Sequence, residues 1–334
     1  MKTKTKIIIS IISVLAILLG SLSFLIFLYP DQQLQEQSDL VATLQNIPQA
    51  NNAYFLVEQA KKSYQKTDLQ PADMITFLTG KTTQNKILDS DIDKFLAAEQ
   101  SCINQLEQAE QLPSYENPLA PNYKTLDIAN VLPASNPSTL NLIRTLYIKG
   151  LYELKTNQTA QGVQTIKDAM NLAAKMRKGS LSLIEYLIHH SALIAGKNIL
   201  NYFADNAAVS PAEVKAFIQT LTDNNWQEYI NTTKFEFQID QYMLKEVTKD
   251  GNFFTLNHFN FQKNATLNLM AKFERQIITG TLNFNCNAPH TQAIEIPTPD
   301  WTNIFKENGV GQTFLSAITW TSPTQIFCKE TQKL

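Results

Sequence analysis

Over most of this chain the apolar residues recur three and four apart. Glycine and proline, ten and thirteen in 334 residues, fall largely between the periodic stretches. That spacing puts apolar side chains on one face of a helix, so it commits the chain to an all-α fold. Ala53, Leu56, Val57, Ala60 and Tyr64 predict a first helix, and Pro71 opens a second that carries Met74, Ile75 and Leu78. The stripe Ile92, Phe95, Leu96, Cys102, Ile103, Leu106 and Ala109 predicts a longer helix from Asp91, stopped by Pro113. Prolines at 113, 118, 121, 133 and 137 make residues 112–138 a surface connector.

The signal is clearest from Thr139 to Leu221. Gly179 closes a helix behind Lys175, Arg177 and Lys178, cations suited to the negative end of the helix dipole. Ser210-Pro211-Ala212-Glu213 opens another with a capping box. The stretch between, Leu181 to Phe203, is apolar nearly all round through Leu183, Ile184, Leu187, Ile188, Leu193, Ile194, Ile199 and Leu200. It is expected to be a central helix covered on every side. Two more helices, about Trp226 to Val247 and about Asn264 to Ile278, flank the aromatic stretch Phe253, Phe254, Phe259 and Phe261. Beyond Gly280 the prolines at 289, 297, 299 and 323 point to an irregular tail packing back on the helices, with one short helix at Phe314 to Ile318.

Ahead of this body Ile7 to Tyr29 carries no charge and is long enough to span about 30 Å of hydrocarbon as a helix. A cleavable signal peptide has an apolar region of only about 7–15 residues and a small-x-small cleavage site, whereas Phe24 to Tyr29 runs straight into Pro30. Residues 7–29 are therefore expected to anchor the chain in a lipid bilayer. Lys2, Lys4 and Lys6 hold the short flank 1–6 in the cytoplasm and leave the main domain outside. The expected division is a linker over 30–50, a helical domain over 51–280 and the irregular segment 281–334. Hydrophobic residues make up 44% and charged ones 17%, which is not the composition of a disordered chain. Net charge is −2, without the clustered positive field that nucleic acid requires.

The chain has no phosphate-binding loop, no nucleophile elbow, no H-E-x-x-H and no C-x-x-C, and nothing in it calls for a cofactor. One constellation carries titratable groups at helical spacing: Glu185, His189 and His190, the first two sharing a face. They could bind a metal or act as an acid–base pair, or they could be polar groups satisfied inside a core. A metal would need further ligands, for which His258 and His290 are candidates by elimination. Trp226, Tyr229, Phe235, Phe237 and Tyr242 could line a groove, although aromatics at mixed spacings are more often core. Cys102 falls on an apolar stripe, while Cys286 and Cys328 in the tail could form a disulfide if the domain lies outside. Asn157-Gln158-Thr159, Asn231-Thr232-Thr233 and Asn264-Ala265-Thr266 are formal glycosylation acceptors.

Leu146, Gly150, Asn157, Gly162, Ile166 and Ala169 follow the order of large, small, turn, small, large and small positions of a tetratricopeptide-type hairpin, which this region resembles over about one repeat. Glu153 stands where that repeat has an aromatic, and the terminal proline is absent. Four further segments resemble a group of uncharacterised bacterial membrane-anchored helical proteins: Asn52-Ala53-Tyr54, Leu183-Ile184-Glu185-Tyr186-Leu187, Asn264-Ala265-Thr266-Leu267 and Asn308-Gly309-Val310-Gly311. The resemblance implies a domain in the periplasm tethered to the inner membrane, argues against glycosylation, and brings no activity with it. Three functions are compatible with these readings. The first is a non-catalytic helical interaction domain for an envelope protein or peptide; the others are a membrane-anchored hydrolase using Glu185 and His189, and a structural envelope component.

Overall fold

The computed structural model describes residues 33–65, 67–81, 86–118, 138–206, 208–222, 225–247 and 263–283. It is 76% helical and has no strand among the described residues, so the chain is all-α. No helix among them is long and apolar enough to cross a membrane. The span expected over 7–29 lies outside the described residues, as do His258, His290, Cys286, Cys328 and the tail from 284 onward.

Among the described residues ten α-helices follow in order: α1 Tyr54–Ser63, α2 Pro71–Leu78, α3 Asp89–Ala98, α4 Gln100–Gln111, α5 Ser138–Lys155, α6 Thr159–Lys178, α7 Leu183–Asp205, α8 Pro211–Thr222, α9 Asn225–Val247 and α10 Lys263–Asn283. The described residues pack as two units. One comprises residues 42–236, and the other joins residues 33–41 to the end of α9 from Phe237 and to α10.

In the larger unit α5 and α6 form a hairpin, with α7 laid against both. The two hairpin helices approach closely because two small residues face each other. A Cβ on Gly162 would stand 2.5 Å from the Gly150 carbonyl oxygen, and one on Gly150 would stand 2.9 Å from that of Gly162. Asn157, with φ 64, makes the turn between them. Glu153 is buried and ties the hairpin together, its carboxylate accepting from Thr165 Oγ1 at 2.7 Å and Gln161 Nε2 at 2.8 Å. Glu153 thus makes a polar link across the hairpin. The Ser210 capping box is present in both directions, Glu213 N–H to Ser210 Oγ at 3.2 Å and Ser210 N–H to Glu213 Oε2 at 2.9 Å.

Several expectations need correcting. The stripe from Ile92 to Ala109 belongs to two helices that meet at Glu99. Backbone bonding nevertheless carries across, from Glu99 N–H to Phe95 O at 2.9 Å and from Ile103 N–H to Glu99 O at 2.8 Å. The bend seats the fully buried Glu99 over the chain leaving α1, where its carboxylate accepts the Gln65 N–H at 2.9 Å. The central helix is not covered on every side by described residues. Ile184 is 57% exposed and Leu187, Ile188 and Ile194 are half-buried, whereas Leu193, Leu200 and Phe203 are buried. α10 continues through Gly280 to Asn283, because one glycine costs a helix only about 1 kcal/mol relative to alanine.

The linker expected over 30–50 is tied by hydrogen bonds to residues far along the chain, although most of its described residues are exposed. Asn231 holds Thr43 by both backbone groups, at 2.7 and 3.1 Å. The Glu116 carboxylate accepts the N–H groups of Gln45 and Asn46, at 2.6 and 3.0 Å. The start of the proline-rich connector is likewise built in: Asn52 pairs with the backbone of Glu116 at 2.7 and 3.0 Å.

Candidate functional site

The residues with the most chemistry gather in the larger unit where the end of α6, the start of α7 and the start of α9 meet. In the last turn of α6, Arg177 continues the buried row Ile166, Met170, Ala173 at three-four spacing. Its guanidinium is 1% exposed. Nε and Nη2 donate to Glu228 Oε2 at 2.9 and 2.8 Å, and Nη2 also donates to the Leu221 carbonyl at 2.8 Å. The cation lies over the Tyr186 ring at 5.8 Å. Burial pushes the Glu228 carboxyl up, and Arg177 beside it works the other way. Arg177 was expected only as a charge at a helix end; the row it continues was the signal that places it inside.

His190 stacks on Tyr186, with ring centroids 6.0 Å apart and planes 14° from parallel. Its Nδ1 is 3.5 Å from Arg177 Nη1. Guanidinium only donates, so Nδ1 is the acceptor in this contact. Tyr186 meets Tyr229 edge-on at 5.7 Å, which makes Tyr229 part of the core of this cluster.

Glu185 and His189 have separate partners. Glu185 serves the start of α7: its carboxylate accepts the Leu181 N–H at 2.9 Å, and its own N–H donates to Ser182 Oγ at 3.3 Å. His189 Nδ1 lies 2.9 Å from Ser180 Oγ. The Ser180 hydroxyl donates to the Met176 carbonyl at 3.0 Å, so it accepts from His189, whose proton sits on Nδ1. Burial, with Lys61 adding to it, lowers the His189 pKa to about 3, which keeps the ring neutral over the physiological range. Burial pushes the Glu185 carboxyl up. Two tyrosines that sequence reasoning passed over complete this end: Tyr115 packs edge-on to His189 at 6.5 Å and leans on Tyr54 at 5.7 Å. Burial raises the Tyr54 hydroxyl to about 12 and Tyr115 further, with Glu58 and Glu185 adding to both. Gly179 admits Tyr115, since a Cβ there would meet the Tyr115 carbonyl oxygen at 2.2 Å.

Among the described residues no group of three or more His, Cys, Asp or Glu gathers as metal ligands would. Of the five aromatics on α9, Tyr229, Phe235 and Phe237 are buried and Trp226 and Tyr242 half-buried, so the first three serve as core. Cys102 is a buried free thiol, pushed up to about 12 by burial and then by Glu99. Chemically the arrangement is a seam of buried ion pair, stacked rings and a neutral His189 imidazole where three helix ends meet. No family model, no curated protein and no solved structure matches this chain.

Proposed function

We propose that this chain is a membrane-tethered, extracytoplasmic helical interaction domain with a tetratricopeptide-like hairpin at its centre. It is anchored through residues 7–29 and recognises an envelope protein or peptide. The observation that carries the reading is the Gly150–Gly162 approach, the small-residue contact by which the two antiparallel helices of such a repeat pack together. The resemblance of short segments to bacterial membrane-anchored helical proteins, the lysine-flanked apolar run and the neutral, internally bonded His189 support it as well.

The test is cross-linking of the full-length chain in its native membranes, followed by detergent extraction. A stoichiometric second protein is expected to travel with it, and a reporter active only outside the cytoplasm, fused after Leu334, is expected to be active. A chain that stays alone and hydrolyses esters or amides, losing that turnover in Glu185→Gln and in His189→Leu, would replace this reading with the hydrolase.

A further inference from the structure

The stretch Gln33–Val41 is held as a ligand is held. Its backbone is gripped by one side chain: Asn268 Oδ1 accepts the Gln35 N–H at 2.9 Å, and Asn268 Nδ2 donates to the Gln33 carbonyl at 2.9 Å. Such a two-point carboxamide bond copies the pairing of a neighbouring strand, so it selects an extended conformation and not a side chain. Gln37 Nε2 adds a bond to the Leu267 carbonyl at 3.3 Å. The turn Ser38–Leu40 then supplies the specific contacts. Arg275 forks onto Asp39, its Nε and Nη2 each 2.7 Å from a separate carboxylate oxygen, and Nη2 also reaches the Glu36 carbonyl at 2.8 Å. Leu40 is 1% exposed among Phe237, Leu244, Leu267, Met270 and Ala271.

On either side of this anchor the segment faces solvent, with Leu34 44% and Val41 53% exposed. A backbone grip, one charge fork and one buried apolar anchor are the parts of a site for an extended peptide. The fork itself is open to water, with side-chain exposures of 35% for Arg275 and 53% for Asp39. It therefore sets register more than it contributes stability, and little resists its release.

We propose that α10 and the adjoining end of α9 form a binding site for an extended peptide of a partner protein carrying an acidic residue followed by leucine. The chain's own Gln33–Val41 fills this site until such a peptide displaces it. The partner's existence rests on the interaction reading above, while the site stands on its own geometry. A segment tethered beside its site competes at an effective concentration in the millimolar range, so an incoming peptide binds more weakly by the fraction of time the site is open.

The experiment uses the full-length chain in detergent and a fluorescent synthetic peptide with the sequence Gln33–Val41, read by anisotropy. The double substitution Asp39→Arg, Leu40→Asp unseats the resident segment and is expected to tighten peptide binding by about tenfold or more over the unsubstituted chain. Adding Asn268→Ala should abolish that gain. Adding Arg275→Glu instead should turn the preference towards a peptide with arginine in place of its aspartate, a reversal that misfolding cannot imitate. If the double variant unfolds, hydrogen exchange decides: protection of residues 33–40 is lost in Arg275→Glu and regained when Asp39→Arg is added. Equal peptide binding by the unsubstituted and unseated chains, or no binding to an unseated chain whose helices persist by circular dichroism, would overturn the site. A dimer that falls apart in the double variant would also overturn it, by making a second copy the occupant. A cross-linked partner that stays bound under excess peptide removes this site and leaves the interaction reading intact. Peptide binding with no partner in the membrane does the reverse.

Discussion

At the scale of single residues, Gly162 shows how little room the hairpin has. A side chain there would run into backbone, the Gly150 carbonyl oxygen at 2.5 Å, which no change of rotamer relieves. Gly162→Ala is expected to destabilise the protein by about 1–3 kcal/mol in urea unfolding, while Gln164→Ala on the exposed side of the same helix changes it by less than about 0.5 kcal/mol. Arg177 has the opposite problem, since it is too large and too charged to be buried without partners. Arg177→Met leaves Glu228 and the Leu221 carbonyl short of a donor and should cost about 3–5 kcal/mol. Adding Glu228→Leu should recover much of that loss, because the desolvated carboxylate goes with it. A double-mutant cycle in urea checks both, and additive losses would show that the pair is not coupled.

At the scale of elements, α7 separates what composition says from what packing does. Its apolar residues are spread round the whole circumference, yet the buried ones, Tyr186, His189, His190, Ala192, Leu193, Gly196, Ile199, Leu200 and Phe203, take one side of it. Leu193→Ala should cost about 2–5 kcal/mol and Ile184→Ser less than about 0.5 kcal/mol, both measured by thermal or chemical unfolding of the full chain. Leu187 is half-buried, so a charge there is expected to weaken the fold without abolishing it, unlike one at Leu193. If Ile184→Ser costs as much as Leu193→Ala, another part of the protein covers that face. Element boundaries were legible where capping chemistry marks them, as at Ser210 and Gly179. The break at Glu99 was not, since the residue its buried carboxylate serves, Gln65, lies 34 positions away.

For the whole molecule, the buried imidazole links stability to pH. His189 has a folded pKa of about 3 against about 6.5 for a free histidine, so between those values the unfolded chain binds the extra proton. Stability from this residue is fully present above about pH 6.5 and is lost as pH falls from there towards 3. Glu185 acts with the opposite sign, since its raised carboxyl favours the folded state below its unfolded pKa and loses that contribution as pH rises through its folded one. The raised carboxyls of Asp240, Glu228 and Glu185 slope the other way, so the test is the difference: between pH 7 and 5 the urea midpoint of the unsubstituted chain should lose ground relative to that of His189→Leu. A parallel slope in the variant would mean that His189 titrates normally in the folded protein.

What the sequence determined by itself is what depends on neighbours three and four residues away: the all-α class, the helix rows and the caps. These are local because one turn of helix brings those residues together whatever the rest of the chain does. Only the tertiary structure decided which face of α7 is covered, that Glu185 and His189 turn to separate partners, and that Arg177 finds Glu228 across 51 residues. It also decided that residues 33–41 lie on α10 rather than free, held by Asn268 and Arg275 more than two hundred positions later. Those contacts are set by where helices come to rest against one another, and no periodicity within a single helix carries that information.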